Sequence, residues 1–150
     1  MRATLFLCSQ SSAVDVRRNT ISVFHILEEL AAPAFPIVIQ ALSIVAMLEL
    51  DENEPADPRV LLRILLGDQQ LFEGPFQADF RVRRKARALA DFNGLVIPAP
   101  GVLNVLLHAG DRDIATWQII CHQIAPPQLD LRFAPEPGER PAEAHQAPGD

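Results

Sequence analysis

Hydrophobic and polar residues alternate along much of this chain in short runs that turn-forming residues separate. The clearest alternation covers Gln77–Arg83, where apolar residues occupy every second position. A period of two is typical of an antiparallel strand with one buried face. Runs rich in β-branched and aromatic residues predict further strands. These are Ala3–Cys8, Thr20–Leu27, Ile37–Leu50, Arg59–Leu66, Ala88–Ile97, Leu103–His108 and Ala115–His122.

The segment Ile37–Leu50 fits two structures. Its length favours a helix, but that helix would be apolar nearly all round. Its first three residues favour a strand, in which Gln40 and Glu49 would lie on opposite faces. The prolines of Ala32–Pro36 cannot continue a helix into it. We therefore predict a long strand with a bulge that lets the buried face switch.

The segments between the predicted strands carry turn chemistry. Glu28–Leu30 offers at most one helical turn, Asp51–Pro58 is an acidic loop broken by prolines, and Gly67–Gln70 is a turn. Pro98–Gly101 is a corner that cannot lie inside a sheet, because its two prolines lack the backbone N–H. Gly110–Asp113 closes the final hairpin. That hairpin buries its apolar side chains and exposes five polar ones: Asn104, His108, Thr116, Gln118 and His122.

Seven or eight short strands without a long amphipathic helix predict an all-β fold, an antiparallel β-sandwich. Apolar residues make up 49% of the chain, which is ample for one core. We expect one sandwich domain over residues 1–124. Residues 125–150 form a tail rich in Pro, Ala and Glu, which we predict to be mostly disordered, because Pro135–Asp150 lacks the apolar surface that would offset the entropy of ordering. Within it, Leu129, Leu131 and Phe133 would cap the domain or add an edge strand.

Composition narrows the classes of partner and compartment. The net charge of −6 argues against a general nucleic-acid binder, which needs a basic face. The longest apolar run, Phe35–Leu50, is shorter than the ~20 residues of a membrane helix, and no secretory signal is recognisable. We therefore expect a cytoplasmic protein with no membrane partner. In that compartment Cys8 and Cys121 are expected to be free, buried thiols.

Three stretches of the chain carry a family resemblance. They are N-T-I-S-V-F-H-I-L-E-E-L-A-A-P-A-F-P (Asn19–Pro36), the G-D-Q-Q turn, and I-P-A-P-G-V-L-N-V-L-L-H-A-G-D-R-D-I-A-T-W (Ile97–Trp117). Over Ala3–Gln123 the chain resembles a family of uncharacterised small bacterial proteins with an Ig-like β-sandwich fold. The resemblance implies that fold, and it implies no activity or catalytic residues.

The strongest charge feature is a basic cluster at the end of the Gln77–Arg83 alternation. It would bind phosphate or an acidic partner, with the Asp51–Asp57 loop of the same chain or the Glu-bearing tail as further candidates. The alternative is a solvated edge whose like charges discourage pairing between sheets. The cluster consists of Arg81, Arg83, Arg84, Lys85 and Arg87.

No motif with catalytic or metal-binding spacing is present in the sequence. His108 and His122 lie on partner strands of the hairpin, but a metal site would need further ligands. Since Cys121 and His122 are adjacent, a strand points them to opposite faces. We therefore predict no catalytic, metal or cofactor-binding residues and no cofactor.

The expected function is non-enzymatic protein–protein interaction, as a homodimer or as a subunit of a larger assembly. The reason is that Leu61, Leu65 and parts of Ile37–Leu50 fall on an outer sheet face, where they require cover. Two alternatives from other classes stay open. One is a small-ligand-binding module with an apolar pocket, and the other is an enzyme centred on His108 and His122.

Overall fold

The structure is a computed structural model that describes residues 1–55, 57–80 and 84–125. The predicted tail therefore lies outside the described residues, apart from its first position. The described residues form nine strands and contain no helix. The strands are β1 (Arg2–Asp15), β2 (Thr20–Ile26), β3 (Glu29–Ala32), β4 (Ile37–Glu49), β5 (Val60–Leu66), β6 (Gln69–Pro75), β7 (Lys85–Ile97), β8 (Gly101–Ala109) and β9 (Arg112–Gln123).

The strands build two sheets that pack face to face. The four-stranded sheet has the order β2-β1-β4-β7, and the five-stranded sheet has the order β3-β9-β8-β5-β6. Their inner faces share one core, because alternate side chains of each strand point inward. This arrangement confirms the predicted all-β sandwich, with nine strands in place of seven or eight. Fully buried core side chains include Cys8, Ile44, Ile64, Val105, Leu107 and Ile119.

Two short segments were predicted wrongly. Glu28–Leu30 makes no helical turn, since β3 begins at Glu29 and pairs in parallel with β9. Parallel hydrogen bonds from Ile120 N to Glu28 O and from Ile124 N to Ala32 O satisfy this backbone at both ends. In the predicted Gly67–Gln70 turn, only the first two residues turn, and β6 begins at the third. The first error arises because a distant strand, β9, supplies the pairing partner, whereas the second arises because β5 and β6 pair right up to a two-residue turn.

The predicted switch of faces in β4 is confirmed, but it occurs without the predicted bulge, and a matching switch occurs in β7. Ile39 and Leu42 are both buried in the core, so the inward parity changes between them. In β7 the inward parity changes at Gly94, whose φ is +82°. Because both strands switch together, their pairing register stays constant along its length. Beyond the switch, the paired residues Val38 and Val96 point outward and are 56% and 50% exposed.

The clear alternation at Gln77–Arg83 does not mark a strand in its described part. Phe76 and Phe80 are buried and Ala78 packs against the core, so the predicted inward face is correct. However, residues 76–80 belong to no sheet, because here the chain crosses from β6 of one sheet to β7 of the other. The period of two therefore reports burial on one side of an extended crossing. Residues 81–83 lie outside the described residues.

The hairpin of β1 and β2 covers the outer face of the four-stranded sheet. Two hydrogen bonds join it to that face: Ser12 Oγ lies 2.7 Å from Ser43 Oγ, and Arg87 Nη2 donates to Asn19 O at 2.9 Å. Beneath it, Val45 is fully buried although it points away from the shared core. The strand β1 is thus longer than the predicted Ala3–Cys8, because its second half turns from β4 to pair with β2.

Candidate interaction surfaces

The outer face of the five-stranded sheet is formed by the alternate residues of its strands that point away from the core, and those of β5, β8 and β9 make up its centre. We call it the open face. The predicted hairpin assignment is confirmed, since Leu103, Leu107 and Ile119 are buried while their strand neighbours point outward. The outward residues of β8 and β9 include the five predicted polar ones: Asn104, His108, Thr116, Gln118 and His122.

Apolar side chains form a connected strip across the open face. Val102 pairs directly with Ile120, and these two side chains are 39% and 54% exposed. Leu106 lies opposite Arg63 on β5, so it neighbours Leu61 and Leu65 diagonally. These three leucines are half-buried. We call the five apolar residues the apolar strip: Leu61, Leu65, Val102, Leu106 and Ile120.

Sequence reasoning placed Leu61 and Leu65 on an outer face, which the structure confirms, but it missed the other three members of the strip. The pattern of β8 contained the signal for two of them, because Val102 and Leu106 share the parity of the polar Asn104. Apolar residues at outward positions of a strand indicate a face that is not simply solvated. Ile120 shows the same pattern on β9, between Gln118 and His122.

Charged and amide side chains around the strip are paired within the chain. His108 Nδ1 lies 2.9 Å from Asp113 Oδ1, and His122 Nδ1 lies 3.2 Å from Glu29 Oε1. The amide of Gln118 donates from Nε2 to Asn104 Oδ1 at 2.9 Å. The two histidines thus share a face but contact different carboxylates.

Arg63 and Glu73 form the remaining charged pair of the open face. Arg63 Nε lies 3.1 Å from Glu73 Oε2, an ion pair whose geometry does not make a hydrogen bond. Within the described residues, no three His, Cys, Asp or Glu side chains gather to hold a metal ion. Each charged side chain of the open face thus has a partner of opposite charge within the chain, whereas the side chains of the apolar strip stay partly exposed to water.

The predicted basic cluster is described for three of its five members, since Arg81 and Arg83 lie outside the described residues. Lys85 Nζ lies 3.3 Å from Glu49 Oε1, and Arg2 donates a hydrogen bond to the same carboxylate. The bonds to Arg2 and Lys85 hold the pKa of Glu49 below its ordinary value. Arg84, Lys85 and Arg87 line an open cavity of about 840 Å³ with Asn19 and Asp79.

The acidic loop binds the amino terminus of the chain, and not the described members of the basic cluster. The Met1 ammonium lies 2.7 Å from Asp51 Oδ2 and forms an ion pair with Glu54. Burial alone would lower the pKa of this amino group, but the hydrogen bonds and charges of the two carboxylates outweigh burial and raise it. The hydrogen bond from the ammonium lowers the pKa of each carboxyl. Arg112 Nη2 donates to the carbonyl oxygen of Met1 at 3.1 Å.

Both cysteines are buried free thiols, as predicted. Burial raises the pKa of Cys8 to about 12 and also raises that of Cys121. A thiol must ionise to act as a nucleophile, and burial opposes the ionised form. These positions are therefore suited to packing in the core, where Cys8 is fully enclosed.

Two comparisons bear on the identity of the chain. The model of a family of unknown function, DUF6941, matches residues 4–122. No curated protein matches the chain. The matched region begins in β1 and ends in β9, so it takes in both sheets and the whole open face. In the part of the chain that the structure describes, no helix is long and apolar enough to cross a membrane.

Proposed function

We propose, since the chain belongs to the DUF6941 family and that family has no known function to transfer, that this protein acts by protein–protein contact. The proposed contact surface is the open face, centred on the apolar strip. In this proposal the protein is non-enzymatic and uses no cofactor. It is a cytoplasmic member of a bacterial, Ig-like sandwich family, without a nucleic-acid or membrane partner.

The connected apolar strip on the open face carries the proposal. On the four-stranded sheet the β1–β2 hairpin buries Val45, while Phe24, Ile26, Val38 and Val96 stay between 49% and 56% exposed. On the other sheet, Val102 and Ile120 remain 39% and 54% exposed beside three half-buried leucines. Connected apolar residues on a flat sheet face are the usual core of a docking surface, and a rim of polar pairs completes it.

The half-buried leucines favour docking over ordinary solvation. Single apolar side chains on a surface need no explanation, but a connected group does. Removing apolar surface from water contributes about 25 cal/mol per Å². A partner that covers Leu61, Leu65 and Leu106 therefore gains binding free energy, because it removes from water side chains that the monomer leaves partly exposed.

Arginine substitutions at two equally exposed positions test the proposal. Ile120→Arg places a charge in the apolar strip, while Val96→Arg places one on the other sheet, where the side chain is 50% exposed. The full chain, tagged at its C terminus, is expressed in its native host and captured after brief chemical crosslinking, and the captured proteins are quantified by mass spectrometry. Circular dichroism and the melting temperature establish that both variants are folded.

We expect Ile120→Arg to lose at least tenfold in captured partner, because a desolvated charge opposes docking, whereas Val96→Arg keeps the wild-type amount. Equal capture by the two variants would overturn the proposal. So would an equal loss in both, because the loss would then follow surface charge in general and not the open face.

A second candidate function is the binding of a small anion in the cavity of Arg84, Lys85 and Arg87. One observation favours it: Arg87 Nε is enclosed and has no hydrogen-bond partner in the described part of the chain. Buried donors of this kind are rare unless a ligand or water completes them. The cavity is large enough for a phosphate-bearing molecule, at about 840 Å³.

Thermal-shift measurements with inorganic pyrophosphate test this candidate. Binding to the folded state raises the melting temperature by an amount that grows with the ratio of ligand concentration to Kd. We expect a rise for the wild type and for Arg63→Ala, whose arginine lies on the other sheet, and no rise for Arg84→Ala. The candidate fails if pyrophosphate leaves the wild-type melting temperature unchanged at millimolar concentration.

A further inference from the structure

We infer that the partner of the open face is a second copy of this chain, joined by a twofold axis that passes close to Leu106. This inference rests on the proposed function, because it names the occupant of the same surface. It follows from the size of the open face, from the signs of its charges and from the place of Leu106 within it.

The open face reaches the size of a dimer interface only when the relief of its side chains is counted. The five strands lie about 4.8 Å apart and range from 4 to 12 residues in length. With a typical length of about seven residues they span roughly 20 Å by 23 Å, a flat outline of about 460 Å². Side-chain relief makes the accessible area of such a face larger than its flat outline. The flat outline alone is somewhat more than half of the ~800 Å² that each partner contributes to a standard interface. Two such faces pack well, since aligned sheets stack about 10 Å apart with interleaved side chains.

The charges on the open face favour self-association over a charged partner. Arg63 is paired with Glu73, and each histidine is paired with its own carboxylate, so no patch of a single sign remains. A partner recognised by its charge would require such a patch. The chain as a whole has a net charge of −6, so two copies repel each other overall. The face with paired charges is therefore where a second copy approaches at the lowest electrostatic cost.

Leu106 lies at the centre of this arrangement. It sits on β8, the middle strand of the five-stranded sheet, and its direct neighbours are Arg63 on β5 and Thr116 on β9. Leu61 and Leu65 flank it diagonally. In a twofold dimer the same patch faces itself, and a residue near the axis contacts its own counterpart. Leu106 of one copy would thus meet Leu106 of the other.

Charge exchange at Leu106 tests this geometry directly. Leu106→Lys and Leu106→Glu each place two like charges across the axis, so each is expected to be a monomer by light scattering. An equimolar mixture is expected to recover a dimer, because unlike charges then meet. The wild type is expected at twice the chain mass of 16.5 kDa. If the Leu106 variants do not fold, Ile120→Lys and Ile120→Glu replace them, with loss of the dimer in both as the expected result.

The outcomes separate this inference from the proposed function. A wild type that stays monomeric at high micromolar concentration overturns the second copy, and so does a dimer that both Leu106 variants retain. If the wild type is monomeric while Ile120→Arg still loses its captured partner, the open face binds a different protein and the proposed function survives. If the mixture fails to recover a dimer that each variant has lost, the axis does not pass near Leu106 and the stated geometry is wrong.

Discussion

The indole Nε1 of Trp117 donates a hydrogen bond to the carbonyl oxygen of Leu27 at 2.7 Å. Leu27 is buried in the link between β2 and β3, and its own N–H donates to Cys8 O at 2.8 Å. Since Cys8 belongs to one sheet and Trp117 to the other, this one residue joins the two sheets through its backbone. The only tryptophan of the chain therefore has a structural role at the seam of the sandwich.

Trp117→Phe is expected to lower the free energy of unfolding by about 1–3 kcal/mol, because it keeps an aromatic ring but leaves a buried carbonyl without a donor. Denaturant unfolding followed by far-UV circular dichroism measures the change, since the variant lacks tryptophan fluorescence. Gln118→Ala is the control, because it removes an exposed hydrogen bond on the opposite face. It should cost less than about 0.5 kcal/mol. Equal stabilities for the two variants would contradict the role of the indole.

Gly94→Ala is expected to destabilise the fold by about 1–2 kcal/mol, through backbone conformation and not through a clash. The φ of Gly94 is +82°, and a Cβ built there meets no atom within 4 Å. Gly94→Asn provides the matched comparison, because asparagine adopts positive φ several-fold more readily than alanine. Chemical denaturation of both variants measures the difference. If alanine and asparagine cost the same, the switch of faces in β7 does not depend on this conformation.

The alternation of the sequence predicted most of the sandwich, because burial on one face is a local property of the chain. The two arms of the final hairpin and the switch of faces in β4 followed from residue types alone. The same signal failed at residues 76–80, where an extended crossing buries every second side chain without pairing. Periodicity thus identifies which side is buried but does not identify the hydrogen-bond partner.

The candidate surface was less accessible to prediction, because it depends on which strands become neighbours. The sequence identified Leu61 and Leu65 as outward residues, but their contact with Leu106 follows from the pairing of β5 with β8. Likewise, four residues of β3 gave no strand signal, and the parallel partner β9 stabilises them from about ninety positions away. The sequence identified the acidic loop, but its ion pairs with Met1 could not be predicted, because they depend on where both segments lie in the fold.

Cys8 and Cys121 are expected to resist thiol reagents in the folded protein. With the pKa of Cys8 raised to about 12, on the order of one thiol in ten thousand is ionised near pH ~8. Labelling with an aromatic disulfide, followed by absorbance, measures the rate. Ser11→Cys, at an exposed position of β1, is expected to react rapidly under the same conditions. Rapid labelling of the wild type without denaturant would show that the core opens near Cys8 or Cys121.

The ion pairs of Met1 predict how stability depends on pH. The pKa of the Met1 amino group is raised above its ordinary value of 8.0 in the folded state. A raised pKa contributes stability that is fully present below the unfolded pKa and is lost as pH rises through the folded pKa. The free energy of unfolding should therefore fall as pH rises above 8. On the acid side, the lowered pKa values of Asp51 and Glu54 remove stability as pH falls through them.

The double variant Asp51→Asn, Glu54→Gln isolates this contribution from the other groups that titrate in alkali. We expect it to be less stable than the wild type at neutral pH and to lose less stability above pH 8, because the carboxylates that raise the pKa of the amino group are gone and only burial, which lowers it, remains. Glu52→Gln, an exposed change in the same loop, should keep the wild-type slope. Urea unfolding at several pH values, on protein that starts at Met1, measures all three. If the double variant and the wild type lose stability in parallel, the carboxylates do not hold the amino group in solution.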